Sequence, residues 1–420
     1  MDIALSVKNI KGTIDAIASK SDAHRLLIAA ALSDAPCRLI LNSTSADIEA
    51  TISCLTNTGA DIRKDGTDIF VNPIKNIVKS AVFDCNESGS TIRFLIPVAA
   101  ALGIKSIFTG SGRLPERPQA PILKAIAENG VTVSPDGEFP IRLEGKLKSG
   151  IFTLPGNISS QFVTGLIFAL PLLDSDSEIR LIPPVESESY INMTVSTVRK
   201  FGIKIEKKGN SYFVKGNQKY ISPHEIKVDG DWSNGAFLAV CGALSDITVN
   251  GLFPDSLQGD KAIADIIKKM GANVTQSENS ISVKTAELHG IEVDASDIPD
   301  LVPVISALAV FAKGTTTIKN AGRLRIKESD RLKTVTQIIT DAGGDITELP
   351  DGLIINGGKK LKDKFTVDSF NDHRIVMAAA VLSFASEVTI TNAQAINKSY
   401  PDFIKDITKL GGVCNVINDR

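Results

Sequence analysis

Apolar and polar positions alternate along this chain in a pattern that recurs six times. A turn containing Gly, Asp, Ser or Asn runs directly into an apolar segment at ASKSDAHRLLIAAAL, NESGSTIRFLIPVAAAL, GNISSQFVTGLIFAL, GDWSNGAFLAVCGAL, SDIPDLVPVISALAV and FNDHRIVMAAAVLS. Anchored at Lys20, Ser88, Ser159, Trp232, Ile298 and Asp372, these segments are 68, 71, 73, 66 and 74 residues apart. A second series keeps the same register: a helix pattern, a glycine, then a strand pattern. Its glycines, Gly59, Gly130, Gly202, Gly271, Gly343 and Gly411, lie 71, 72, 69, 72 and 68 residues apart. Two independent signals therefore agree on one repeat of about 70 residues, longer than the common solenoid repeats.

Within each repeat the apolar period changes. IFTLPG, IKVDG and IEVDAS read as short strands. IEATISCLTNTG, APILKAIAENG, VSTVRKFG, IADIIKKMG, LKTVTQIITDAG and FIKDITKLGG space their apolar residues three and four apart, as amphipathic helices do. The glycine closing each of these suits a left-handed C-terminal cap, and the β-branched residues after it begin the next strand. FVTGLIFALPLL and HRLLIAAALS are apolar nearly all round, which predicts helices buried on every side. Each repeat thus supplies a sheet, one solvent-facing helix and one core helix. Three repeats around a shared set of core helices make a lobe with its sheets outside, and the change of lobe falls near VDGDWS, around residue 229.

The length of 420 residues exceeds what one core usually serves, in keeping with two lobes. With 43% hydrophobic and 22% charged residues and no uninterrupted apolar span, the expectation is a soluble protein off the membrane. The first residues, MDIALSVKNIKGTIDA, show neither a secretory nor an organellar leader pattern, which points to a cytoplasmic setting. Cys37, Cys54, Cys85, Cys241 and Cys414 are scattered and form no CxxC, so neither a disulfide framework nor a metal site is expected. A net charge of −2 gives no reason to invoke nucleic acid, so any anion chemistry must come from local clustering.

Such clustering sits in the turns that open the core helices, which carry Lys20, Ser21, Arg25, Gly89, Ser90, Ser159, Ser160, Gln161, Asp372 and Arg374. Helix starts present unpaired N–H groups and a positive dipole end, and Ser/Gly turns let backbone donors approach a phosphate. Plain helix capping accounts for the Ser, Asp and Asn residues but not for the cations. The densest stretch, LRIKESDRLK, is read as the opening of an amphipathic helix. Lys327 and Arg331 would share a face four residues apart, with Glu328 and Arg331 three apart. The alternative is a solvated helix start laced with ion pairs. Arg117 in ERPQAPIL precedes a proline that fixes the backbone, and His373 in NDHR is given no firm catalytic role.

Taken in order, SKSDAHR, ESGSTIR, RLPERPQAPIL, SSQF, SESYINMT, QGD at 258–260, IPD at 298–300, RIKESDRL, NDHR and NKSYPDF resemble the EPSP synthase (3-phosphoshikimate 1-carboxyvinyltransferase) family of enolpyruvyl transferases. The resemblance spans essentially the whole chain. It implies an α/β (α+β) fold of two lobes, each of three βαβαββ repeats with core helices inside and sheets outside, an inside-out α/β barrel. One lobe would be residues 16–229, the other residues 1–15 with 230–420, and the active site would lie in the cleft between them. It also implies transfer of the enolpyruvyl group of phosphoenolpyruvate to the 5-hydroxyl of shikimate 3-phosphate, by a monomer, with these two small molecules as its ligands and no cofactor or metal.

By motif position the resemblance assigns phosphoenolpyruvate to Lys20, Gly89, Arg117, Gln161, Arg331, Arg374 and Lys398. It assigns shikimate 3-phosphate to Lys20, Ser21, Arg25, Ser159, Ser160, Gln161, Ser187, Asp300 and Lys327. Asp300 is the candidate base, and Glu328 or Lys20 the candidate acid. Ile17, Ala18, Glu87, Glu188, Ser189 and Arg323 depart from the common family pattern but leave the charged set whole. Two other readings compete. A transferase acting on UDP-N-acetylglucosamine typically carries Asn after the first Lys and a cysteine in the loop matching TGSGRLPERP, whereas here Ser21 follows Lys20 and residues 109–118 hold no cysteine. A non-catalytic anion-binding protein of the same fold would need the cations but not the paired carboxylates.

Overall fold

The computed structural model describes residues 1–134 and 138–418. The chain forms two compact units, one of Lys20–Val228 and one of Met1–Ser19 with Asp229–Arg420. The described helices are α1 (Lys20–Ala31), α2 (Ala46–Asn57), α3 (Gly89–Leu102), α4 (Ala120–Ala127), α5 (Ser160–Ala169), α6 (Glu188–Lys200), α7 (Trp232–Leu244), α8 (Ile263–Lys269), α9 (Val302–Ala309), α10 (Arg331–Asp341), α11 (His373–Leu382) and α12 (Phe403–Lys409). Odd-numbered helices are the apolar ones and even-numbered helices the amphipathic ones, so the two sequence signals alternate strictly.

The apolar helices are buried almost throughout. Every residue of α9 and α11 is buried, as is every residue of α5 except Gln161 and of α7 except Leu244. Removing a large aliphatic or aromatic side chain from water contributes about 1.5–3 kcal/mol, so these helices form the core. Each amphipathic helix ends before the glycine anticipated for it. Gly59, Gly130, Gly202, Gly271, Gly343 and Gly411 all have positive φ, between 81° and 111°, a region where a Cβ is strained and glycine is not.

Among the described residues, six four-stranded sheets complete the repeats. In the third, Ile151–Pro155 leads into α5 and pairs in parallel with Ser177–Ile182, which follows it. After α6 comes the hairpin Ile205–Lys208 and Ser211–Val214, whose second strand pairs antiparallel with Ser177–Ile182. Phe152, Ile179 and Tyr212 align across the three neighbouring strands and are buried, which is the period-2 pattern of a sheet with one covered face. The other five sheets keep this strand order.

Two repeats borrow a strand from the far end of their unit. Glu225–Lys227 pairs with Cys37–Ile40, and Asp2–Ser6 lies between Glu387–Thr391 and Val413–Asn418. Where the chain leaves and re-enters the second unit, two segments run side by side. The Ser19 amide donates to the Asp229 carbonyl at 2.7 Å, and the Asp231 amide to the Ile17 carbonyl at 2.8 Å. Gln258 of the QGD motif clamps this pair: its Nε2 donates to the Gly230 carbonyl at 2.7 Å, and its Oε1 accepts from the Trp232 amide at 3.0 Å.

In the unit Lys20–Val228, helices α3 and α5 pack backbone against backbone at Gly165. A Cβ there would meet the Arg93 carbonyl at 2.3 Å and Pro97 Cγ at 2.7 Å, so the helices approach only because no side chain intervenes. Backbone cannot yield as a flexible side chain would. Gly165→Ala is therefore expected to lower the unfolding free energy by about 1–3 kcal/mol, read from the urea midpoint.

Candidate functional site

Four helix starts carry the candidates of the unit Lys20–Val228. Lys20 opens α1, and its Nζ pairs with Asp47 Oδ2 of α2 at 2.7 Å. One turn on, Arg25 is almost wholly buried. Its Nη1 donates to the Ser21 carbonyl at 2.6 Å, its Nε to Thr194 Oγ1 at 2.8 Å and its Nη2 to the Tyr190 carbonyl at 3.1 Å. Its guanidinium also sits 5.2 Å from the Phe94 ring centroid, within cation–π range. Burial draws its pKa down to about 10, against the raising influence of Asp22 and Tyr190. Arg25 is thus a fixed cation that links α1 to α6. Ser187, just before α6, is buried and has φ 54°.

Helix α3 begins at Gly89, with Ser88 as its N-cap. The Arg117 guanidinium occupies the space beside Gly89: a Cβ there would meet Nη1 and Nη2 at 2.8 Å. Glycine leaves the guanidinium room to lie over the helix start, and a side chain there would push it aside. Helix α5 is capped by Ser159, whose Oγ accepts from the Gln161 amide at 3.3 Å. Gln161 then reaches back to α3, donating to Ser90 Oγ at 2.9 Å and accepting from Arg93 Nη1 at 2.7 Å.

Arg93 is a residue that sequence reasoning missed. It is buried and also donates to Gln119 Oε1 at 3.3 Å and to the Pro118 carbonyl at 3.0 Å. It therefore ties Gln161 to the loop carrying Arg117. The signal was present, because a lone arginine inside the apolar run STIRFLIPV must be paired. A groove of about 740 Å³ lies elsewhere in this unit, lined by strand residues such as Val82 and Ile107, and holds none of these candidates.

The other unit gathers its candidates around Arg331. Asp300 lies in the short turn Pro299–Leu301 before α9. Its Oδ1 is 2.7 Å from Arg331 Nη1 and 3.4 Å from Lys327 Nζ, and its Oδ2 is 3.3 Å from Arg374 Nη2. Arg331 also reaches Glu328 Oε2 at 2.8 Å and grips Asp372 through Nε at 2.8 Å and Nη2 at 3.1 Å. Arg331 is 1% exposed, so one buried guanidinium holds three carboxylates. Asp372 doubles as the N-cap of α11, accepting from the Arg374 amide at 3.0 Å. The Lys398 ammonium donates to the neighbouring Asn371 carbonyl at 2.5 Å.

The helical face expected for LRIKESDRLK is corrected here. Helix α10 starts only at Arg331, because Asp330 caps it by accepting from the Lys333 amide at 3.3 Å, and Lys327 is extended. Capping wins over the i,i+4 pattern, yet Lys327, Glu328 and Arg331 still converge, because the turn brings Lys327 and Arg331 onto Asp300. Electrostatics follow from this geometry. Burial alone would raise the Asp300 pKa, but Arg374, Lys327 and Arg331 outweigh it and hold the carboxyl well below its usual range. Burial lowers the Lys327 pKa, with Asp300 opposing. Burial also works against the Arg331 charge, but Asp372, Glu328 and Asp300 together raise its pKa. Of the departures from the family pattern, Glu188 pairs with Lys207, and Arg323 Nη2 donates to the Ser296 carbonyl at 2.5 Å.

Three cations interleaved with three carboxylates, of which Asp300 and Glu328 are partly exposed, suit the holding of small anions and the movement of a proton. No helix among the described residues is long and apolar enough to cross a membrane, and no cluster of metal-binding side chains is found among them. Comparison with known proteins agrees in fold and sequence. The chain is 43% identical over 427 residues to the 3-phosphoshikimate 1-carboxyvinyltransferase of Clostridium novyi, covering 98% of each chain. Among solved structures it is similar to the EPSP synthase of Acinetobacter baumannii (TM-score 0.82, 22% identity, covering 99% of this chain and 100% of that one). It is also similar to an enolpyruvyl transferase of Streptomyces tendae (TM-score 0.80, 16% identity, covering 99% and 98%). The sequence model of EPSP synthase (3-phosphoshikimate 1-carboxyvinyltransferase) matches residues 6–407, and the chain belongs to that family.

Proposed function

We propose that this protein transfers the enolpyruvyl group of phosphoenolpyruvate to the 5-hydroxyl of shikimate 3-phosphate, releasing phosphate, as a cytoplasmic monomer in the shikimate route to aromatic amino acids. The observation that carries this reading is Asp300, a carboxylate within 3.4 Å of Lys327, Arg331 and Arg374 and sharing Arg331 with Glu328. The substrates bring two phosphates and two carboxylates, and their mutual repulsion must be offset by cations. Lys20, Gly89, Arg117, Gln161, Arg331, Arg374 and Lys398 take phosphoenolpyruvate. Lys20, Ser21, Arg25, Ser159, Ser160, Gln161, Ser187, Asp300 and Lys327 take shikimate 3-phosphate.

The chemistry is addition followed by elimination. The 5-hydroxyl oxygen bonds to C2 of phosphoenolpyruvate while Asp300 accepts its proton, and Glu328 or Lys20 gives a proton to the methylene carbon. The C2–O bond to phosphate then breaks, phosphate leaves with the electron pair, and the methyl carbon returns a proton to restore the double bond. No step calls for a metal or an electron carrier.

In the ligand-free protein Asp300 is a weak base, because three cations stabilise its charge. Substrate anions that neutralise Arg374 and Lys327 relax that hold and strengthen Asp300 as a base only once the substrates are in place. Binding and proton transfer are thereby coupled. Arg331 acts mainly by holding Asp300 and Glu328 in register.

Phosphate release assayed with phosphoenolpyruvate plus shikimate 3-phosphate, and in parallel with UDP-N-acetylglucosamine as acceptor, tests the reading. Turnover is expected with the first acceptor only. Asp300→Asn is expected to lower kcat about 10²–10⁴-fold while calorimetry still detects shikimate 3-phosphate. Because the folded-state pKa of Asp300 is depressed, its contribution to stability is full above its unfolded value of about 3.9 and is lost as pH falls below it. The stability gap between wild type and Asp300→Asn, followed by thermal unfolding, should therefore narrow below about pH 4 and stay constant from there to neutrality.

A further inference from the structure

Beneath the start of α3 runs a chain of hydrogen bonds that none of the roles above uses. His24 of α1 is fully buried, with its Nδ1 2.7 Å from Thr51 Oγ1 of α2. Thr51 Oγ1 is 2.7 Å from Thr91 Oγ1 of α3, and Thr91 Oγ1 donates to Ser88 Oγ at 2.7 Å. A hydroxyl has one hydrogen to give, so each link fixes the next. Thr91 spends its hydrogen on Ser88, so Thr51 must donate to Thr91. Thr51 has then none left for His24, so the imidazole must carry its hydrogen on Nδ1 and donate it.

The far end is equally constrained. Ser88 Oγ accepts from both the Thr91 hydroxyl and the Thr91 amide, and its own hydrogen meets no acceptor among the described residues. Ser88 immediately precedes Gly89, over which Arg117 lies. His24 is suited to the task, since burial, with Lys20 and Arg25 adding to it, keeps the ring neutral. A charged ring would donate just as well from Nδ1, but its Nε2 hydrogen would have no partner among the described residues.

We infer that His24 is a positioning residue. Through Thr51 and Thr91 it fixes the direction of every hydroxyl down to Ser88, whose buried oxygen is thereby held as the cap of the Thr91 amide, so that the first-turn amides of α3 stay aimed at the phosphoenolpyruvate anion assigned to Gly89 and Arg117. This rests on the function proposed above. The imidazole touches no substrate and acts only through the chain.

Steady-state kinetics on the full-length protein test it. His24→Leu, which removes the donor but keeps bulk, is expected to raise KM for phosphoenolpyruvate about tenfold, as loss of one buried hydrogen bond does. kcat and KM for shikimate 3-phosphate should stay within about twofold. His24→Asn, whose amide can donate at the Nδ1 position, is expected to restore the wild-type KM. Thr51→Val should match His24→Leu, and the double variant should be no worse than either, as for two members of one chain.

Unchanged KM in both single variants, an equal rise in KM for both substrates, or shifts that multiply in the double variant would overturn the inference. If His24→Leu does not fold, Thr51→Val carries the same test. A wild-type protein inactive with this substrate pair would instead refute the proposed function. The chain would then be read from inorganic phosphate affinity by calorimetry, where the same order of variants supports it and equal affinities reject it.

Discussion

A helix wrapped in apolar side chains has few places where it can be polar, and its first turn is the main one. The core helices here are buried along nearly their whole length, so their unpaired N-terminal amides must be satisfied by caps, by cations with their counter-ions, or by a ligand. That constraint concentrates the chemistry of each unit. In Lys20–Val228 it gathers Lys20, Gly89 with Arg117, and Ser159 with Gln161 at the starts of α1, α3 and α5. In the other unit it places Asp300 before α9 and Asp372 with Arg374 at the start of α11. The rest of each repeat, sheet and amphipathic helix alike, screens these helices from water along their length.

Burying charge so close to a core is costly unless every charge has partners. Arg331 meets that condition with three carboxylates, and Arg25 with backbone carbonyls, a hydroxyl and an aromatic face. The two solutions have different consequences. Arg25 keeps its full positive charge for an incoming anion, whereas the charge of Arg331 is already more than balanced. Arg331 is therefore better placed to organise carboxylates than to attract a phosphate by itself.

The repeat, the helix types and the closing glycines were legible in the sequence because they depend on local rules: apolar period, capping and the freedom of glycine. The family, too, was legible from ten short motifs in order. What escaped was set by contacts between distant residues. Nothing local says that Asp372 would cap α11 and also hold Arg331, 41 residues away, or that Arg93 would reach Gln161, 68 residues on. The helix start at Arg331 was misjudged because a charge spacing of four invites a helical reading, while Asp330, itself a strong cap residue, ends it. The Lys20–Asp47 pair was hidden for the same reason: the partners belong to different helices.

The borrowed strands set a timetable for the newborn chain. Asp2–Ser6 is made hundreds of residues before both its neighbours, Glu387–Thr391 and Val413–Asn418. At the ribosome's pace of roughly 5–20 residues per second the wait is tens of seconds. Lys20–Val228 carries all its own strands and is free to fold in that interval. Asp2–Ser6 must meanwhile stay extended and unaggregated, so a chaperone that shields this nascent segment would raise the yield of the protein more than one acting on Lys20–Val228.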